Sequence, residues 1–524
     1  MLNREIQTIV TGLVDMLLLK SRMKILLLIF FNYSLAMVSS EYTAAVVEFF
    51  PEQDKSLLAE ERLSRNVAGY LSILEQVSRD SELDIIVYPE LTLASNAPII
   101  KHDDVLPYSI EIDLNGQSLC TTNNRTYLTP LACAAVKYHT YIVVNLYERA
   151  PCSKNATTKC HEDGWYFYNT NVVLNRNGSI VSKYRKYNLF GEFFMTRPVT
   201  ADISIFRTDF NETFAMFICF DLLFKQPALD LANKHGVKSV IYPTMWFSEL
   251  PFLTALQAQN QWAYATNATL LASGANNARV GSGGTGVYQG ADGPLIVTIV
   301  GKDESKGFVA KIPSVAHRFI DSGIIDQKAK QLDGFYLLSD NLTAYSSKLV
   351  TPGQREIQEV VCGQDGGVEF CCHFQIGLES KSNVTGDRYQ YHMVAFTGVR
   401  SFSGMYNGGV EICGVIACTN SSLSSCGKRF PSYDNVSWPI SFKKIVINAE
   451  FDADENKYQY PNSLLSNIEP LSSEAFGWTH EIKDKRISRT YTLKEPQDRL
   501  MTFAIYGRDF NRDSSPFKAP KITL

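Results

Sequence analysis

The chain has 524 residues, 45% of them hydrophobic and 20% charged, with 50 Lys and Arg against 54 Asp and Glu for a formal charge of −4. That balance carries neither the basic footprint of a nucleic-acid binder nor a polybasic membrane patch, which leaves small molecules or other proteins as partners. The length exceeds the range over which a single hydrophobic core keeps growing, so two domains are expected.

In chain order, residues 23–40 start with Lys24, run through apolar positions 25–31 and reach small residues around Val38 and Ser40, a secretory signal pattern. Residues 1–22 hold another apolar run at 13–19, broken by Asp15, and read as an upstream extension. The alternative is one membrane anchor, but the run after Lys24 is short for a span. Residues 42–50 read as a buried strand, Leu63, Val67, Tyr70, Leu71 and Leu74 follow helical spacing, and 84–87 is the next strand. Strands at 141–146, 214–220 and 239–242 and a helix around 227–234 continue the alternation, which argues for an α/β layered domain over 41–325. From about residue 326 the segments 389–394, 444–449 and 500–506 alternate polar and apolar between turn residues, so 326–524 reads as a mostly β accessory domain without a catalytic grouping. The polar tail 509–524, with Pro516 and Pro520, offers no hydrophobic segment for a lipid anchor, so the mature chain is expected to lack a membrane-spanning segment.

Glycosylation acceptor sequons occur at Asn124, Asn155, Asn177, Asn211, Asn341, Asn383, Asn420 and Asn435, a series that supports secretion to the extracellular space. Asn267 also fits, but its apolar helix-to-strand surroundings suggest burial. In an oxidising compartment eleven cysteines leave one over. Cys120, Cys133, Cys152 and Cys160 form one even set, and Cys362, Cys371, Cys372, Cys413, Cys418 and Cys426 another. Connectivity is not legible, although adjacent Cys371 and Cys372 on a strand should face opposite sides and pair separately. The leftover is Cys219. With no Cys-x-x-Cys pair and eight scattered histidines, a structural zinc site is not expected.

Cys219 closes the run Phe214-Ala-Met-Phe-Ile-Cys, and two other motifs carry chemically useful residues: Glu90 at the end of Tyr88-Pro89-Glu90 and Lys186 at the start of Lys186-Tyr-Asn-Leu-Phe190. Each alone has a plain reading, as a strand terminator, a solvated charge or a small buried hydrophobe. Together they fit a site, because ligands in α/β sheets gather at the carboxyl ends of strands. A cysteine nucleophile needs a base or a cation to generate thiolate, and Glu90 and Lys186 would supply both. No histidine flanks these strand ends, which argues against a Cys-His protease. The glycine-rich 281–286 lacks the ending of a phosphate loop and reads as a turn.

Tyr-Pro-Glu, then Lys-Tyr-Asn-Leu-Phe, then Ile-Cys-Phe-Asp, in that order, resembles the nitrilase superfamily, and within it the vanin and biotinidase branch of secreted amidohydrolases. The resemblance covers roughly 42–325, and the Cys-rich second half resembles the vanin accessory domain. It implies a four-layer α-β-β-α sandwich, with Glu90 as general base, Cys219 as nucleophile, and Lys186 with the backbone N–H of Phe220 as oxyanion donors. It also implies a small-molecule amide substrate, pantetheine cleaved to pantothenate and cysteamine, and no metal or organic cofactor. Glu192 either orients Lys186 or is a surface carboxylate. Trp246, in the position of a pocket wall, is either a substrate contact or a core tryptophan. The rivals are hydrolysis of biotin amides, a nitrile-hydrolysing enzyme, and a secreted binding protein on a retired scaffold. Oligomeric state is not legible.

Overall fold

Alternate residues of the strand Tyr42–Glu48 belong to two different cores. Tyr42, Ala44 and Val46 pack with Phe214, Met216 and Leu271, whereas Ala45 and Val47 pack with Leu63, Val67 and Leu74 of the helix Ala59–Val77. Because strand side chains alternate faces, a strand apolar on both faces must be covered twice, here by a second sheet on one side and helices on the other. The computed structural model describes residues 41–95, 97–123, 125–152, 160–314, 322–351, 353–381 and 385–513. The signal pattern, Asn124, Asn155 and Asn383, and the tail beyond 513 lie outside the described residues.

The first sheet runs Lys306–Ile312, Tyr42–Glu48, Ile85–Val87, Tyr141–Pro151, Trp165–Leu174 and Ile180–Arg185, with Ser109–Ile110 beside Tyr141–Pro151. The second runs Pro294–Thr298, Thr285–Gln289, Thr269–Gly274, Ser239–Thr244, Thr213–Met216 and Ile205–Arg207. The central strands of both are parallel. Ala59–Val77 and Thr129–Tyr138 cover the outer face of the first sheet, and Ala255–Thr266 packs on the second, giving the expected α-β-β-α layers.

Beyond the helix Ser322–Gln331 the chain is mostly β. One five-stranded antiparallel sheet is ordered Ser346–Leu349, Gln390–Phe402, Tyr406–Cys418, Leu500–Asp509 and Lys457–Leu465, and another Glu356–Asp365, Val368–Ser380, Ile440–Asp452, Arg486–Leu493 and Phe476–Lys483. Cys372–Cys413 joins the two sheets, while Cys362–Cys371 and Cys418–Cys426 join neighbouring segments. Adjacent Cys371 and Cys372 thus pair separately, as their opposite facing requires. The β half contacts the layered half through buried polar bonds: Asn462 accepts from Gln257 Nε2 at 2.9 Å and donates to Gln261 Oε1 at 2.7 Å.

One expectation fails in detail. Residues 214–220 are not one strand: pairing covers Thr213–Met216, and Cys219–Leu223 forms a 3-10 turn. The apolar run masks this break, because all of these residues are buried whichever backbone they adopt.

Candidate active site

Glu90 lies three residues beyond the strand Ile85–Val87, Cys219 three beyond Thr213–Met216, and Lys186 directly after Ile180–Arg185. The first two follow carboxyl ends of parallel strands, one from each sheet, so stacking the sheets brings them together. Cys219 has φ 48° and Leu91, next to Glu90, has φ 51°. Left-handed non-glycine residues cost on the order of 1–3 kcal/mol each and persist where the surroundings dictate them. Here the Leu91 N–H is held by Asn145 Oδ1 at 2.8 Å, and the Cys219 carbonyl accepts from Tyr242 OH at 2.9 Å.

Glu90 is 2% exposed. Its Oε1 accepts from Lys186 Nζ at 2.7 Å and Asn169 Nδ2 at 2.8 Å, and its Oε2 accepts from the Met245 N–H at 2.7 Å. Lys186 Nζ also donates to Glu192 Oε2 at 2.7 Å, and Glu192 in turn accepts from Asn169 and from the Phe190 N–H. Burial alone would lower the Lys186 ammonium, but Glu192 and then Glu90 outweigh it and hold it well above the usual lysine range. Cys219 is the free cysteine, all ten others being paired: Cys120–Cys133 and Cys152–Cys160 complete the set. Burial, and next the Glu90 charge, push its thiol up, with Lys186 offsetting part. At neutral pH the sulfur therefore rests as a thiol, with a proton to give. Below it Asp221 accepts from Tyr184 OH, the Asn188 N–H, Asn188 Nδ2 and the Ile218 N–H, and burial raises its carboxyl to about 6. This carboxylate ties the turn carrying Cys219 to the loop after Lys186.

Cys219 lines a narrow slot of about 30 Å³ with Phe190, Phe220, Trp246, Glu249 and Phe402. Wider clefts of about 280 Å³ and 370 Å³ adjoin it, sharing Phe220 on one side and Met245 and Phe247 on the other. The Phe220 N–H lies in the first turn of the 3-10 helix, where backbone donors lack intrahelical acceptors. Trp246 borders the slot while its Nε1–H donates to Leu253 O at 2.9 Å, so one ring serves both packing and the slot wall.

The carbon-nitrogen hydrolase family model matches residues 44–297, and the Vanin C-terminal domain model matches 335–513. Vanin-like protein 1 of Drosophila melanogaster is 32% identical over 506 residues, covering 91% of this chain and 87% of that protein. The chain belongs to the vanin-like branch of the carbon-nitrogen hydrolase family. It is also similar to biotinidase of Bos taurus, 27% identical over 91% of this chain and 93% of that protein. Pantetheinase of Homo sapiens is 26% identical over 93% of this chain and 92% of that protein.

In this carbon-nitrogen hydrolase, sequence reasoning missed Asn169, which bridges Glu90 and Glu192 and is itself held by Asn145 Nδ2 at 2.8 Å. Its signal was the run Asn169-Thr170-Asn171, three consecutive polar residues in a strand otherwise aromatic and aliphatic. The C-terminal half showed no catalytic grouping in sequence, yet its hairpin between Gln390–Phe402 and Tyr406–Cys418 brings Phe402 and Ser403 to the slot. Among the sequons, Asn177, Asn211, Asn341, Asn420 and Asn435 are exposed. Asn267, expected to be buried, is exposed as well, because it caps the helix Ala255–Thr266 in a left-handed turn at the surface.

Proposed function

We propose that the chain is a secreted amidohydrolase that cleaves a linear carboxamide through a thioester on Cys219, with pantetheine as substrate and pantothenate and cysteamine as products. Glu90 removes the thiol proton as Sγ attacks the amide carbon. Lys186 Nζ and the Phe220 N–H meet the resulting oxyanion. The intermediate collapses as Glu90 delivers the proton to the departing amine nitrogen, which breaks the C–N bond and leaves the acyl group on sulfur. Glu90 then takes a proton from water, hydroxide adds to the thioester carbon, and the acid departs as the proton returns to the thiolate. Glu192 and Asn169 are positioning residues that hold Lys186 and Glu90.

The observation that carries this reading is the chain of bonds from Glu192 through Lys186 to Glu90 beside the one unpaired cysteine, whose raised thiol makes a neighbouring base necessary. Similarity to biotinidase favours biotin amides as a second reading. Hydrolysis of pantetheine beside biocytin by the purified chain, with Cys219→Ala as control, separates them: cysteamine release that disappears in the variant is the expected result. Turnover of neither amide by folded protein with an alkylatable Cys219 would contradict both. Secretion is part of the proposal, supported by the disulfides and exposed sequons. A mass shift on deglycosylation of protein from a secretory host is expected at Asn177, Asn211, Asn341, Asn420 or Asn435.

A further inference from the structure

Glu249 is the one charged residue among those lining the slot with Cys219; its neighbours there are mainly aromatic and aliphatic. It sits on the two-residue strand Glu249–Leu250, paired in parallel with Leu338–Ser339. Arg400, from a strand of the C-terminal half, reaches across: its Nη2 donates to Glu249 Oε1 at 2.8 Å and Oε2 at 2.9 Å, and its Nη1 lies 3.2 Å from Asp340 Oδ2. The side chains of Arg400, Asp340 and Glu249 are 5%, 8% and 14% exposed. The Arg400 guanidinium also stacks 4.9 Å over the ring of Phe402, which itself lines the slot.

One cation thus serves two carboxylates, and the cluster keeps an excess of acceptor capacity. A carboxylate accepts about four hydrogen bonds, and Arg400 supplies only two of those on Glu249. An anionic acceptor in an apolar slot is costly unless donors reach it. A tie between the two halves would explain the ion pair, but not why the carboxylate borders the slot. Resting on the reading above, we propose that Glu249, oriented by Arg400, determines specificity by accepting a hydrogen bond from a hydroxyl or amide N–H on the acyl part of the substrate. The C-terminal half then sets substrate choice through Arg400, although the reacting groups belong to the other half.

A site built to bond a donor discriminates against the analogue lacking it, because its own acceptor is left unpaired. The test uses the full chain and three substrates: pantetheine, whose acyl chain carries hydroxyls; a cysteamine amide of a plain aliphatic acid of equal length; and biocytin, whose donors are ureido N–H groups. Glu249→Gln is expected to lower kcat/KM on whichever donor-bearing amide is the better substrate by on the order of 10–100-fold, mainly through KM, and to affect the aliphatic amide far less. Arg400→Lys should give a smaller loss with the same selectivity. Should Glu249→Gln fail to fold, Glu249→Asp, which keeps the charge but withdraws it by one methylene, carries the same comparison. Equal losses on all amides, or none, would overturn the inference. Calorimetric binding of pantothenate and biotin to Cys219→Ala, with and without Glu249→Gln, needs no turnover. Weaker binding caused by Glu249→Gln in a chain that hydrolyses no amide would contradict the proposed function and leave this inference standing.

Discussion

Both halves of the chain pack around apolar cores and carry disulfides, but they differ in what surrounds the free cysteine and what closes the core. Around Cys219 the layered half buries ionised groups, with Glu90, Lys186 and Glu192 joined at 2.7 Å and Asp221 fully buried beneath them. The β half relies on an apolar cluster between its sheets, closed by Cys372–Cys413. Replacing a buried ion network with hydrophobic residues is often neutral or stabilising, so such a network is weak evidence of stability. A covalent staple is the reverse: it stabilises without offering chemistry. The contrast teaches where chemistry resides. The free thiol has an acid, a lysine and the Met245 carbonyl among its polar neighbours, and every other cysteine already has a partner, so oxidation has nothing adjacent to join to Cys219.

Substitutions in the two halves should therefore fail differently, and the largest loss is expected at Glu90, the proposed base. Glu90→Gln should reduce kcat by about 10²–10⁴-fold while leaving the protein folded, because Gln keeps the shape and one acceptor for Lys186 or Met245. Lys186→Met should remove the proposed oxyanion donor, worth about 10²–10³-fold in kcat. It should also leave Glu90 and Glu192 without their cation, a destabilisation of about 3–5 kcal/mol that a urea melt would register. If Lys186→Met lost activity but no stability, the contrast between the halves would break.

In the β half, replacing Cys372 and Cys413 together by Ala should cost about 2–4 kcal/mol in stability, yet leave kcat per folded molecule near the wild-type value. A comparable loss in kcat would mean that the staple acts on the slot hairpin as well as on the core. Glu48 offers a pH test within the layered half. Burial drives its carboxyl from 4.5 to about 7, despite bonds from the Val300 and Gly284 N–H groups. Between those values the folded chain holds a proton that the unfolded chain has released, so stability falls as pH rises through the window and the penalty is complete above it. The unfolding free energy of the wild type should accordingly fall by up to about 3 kcal/mol more than that of Glu48→Gln across this range. The smallest effect sharpens the role of the asparagines. Asn169→Ala deprives Glu90 and Glu192 of one donor each and should cost about 1–3 kcal/mol, seen mainly in kcat.

The layered fold was legible because buried parallel strands read as apolar runs, and Leu63, Val67, Tyr70 and Leu74 mark the helix that covers them. Cys219 was legible from parity and compartment, and Glu90 and Lys186 from three motifs in order. The turn at Cys219 was not, since Phe217, Ile218 and Phe220 suit a buried strand or a buried turn equally. Glu249 and Arg400 escaped notice for a different reason. They are 151 positions apart, and neither has a motif; only packing of one half on the other makes them a pair. Asn169 had a local signal, the polar run Asn169-Thr170-Asn171 within an otherwise aromatic and aliphatic strand, all three of them buried.

The central claim is that Cys219 carries the acyl group. Rapid mixing of the chain with pantetheine, acid quenching and peptide mass spectrometry test it directly. An adduct of pantothenoyl mass on the Cys219 peptide, absent in Cys219→Ala and long-lived in any variant slowed in thioester hydrolysis, is the predicted result. Steady hydrolysis by Cys219→Ala at the wild-type rate, with no acylated peptide in either protein, would contradict it.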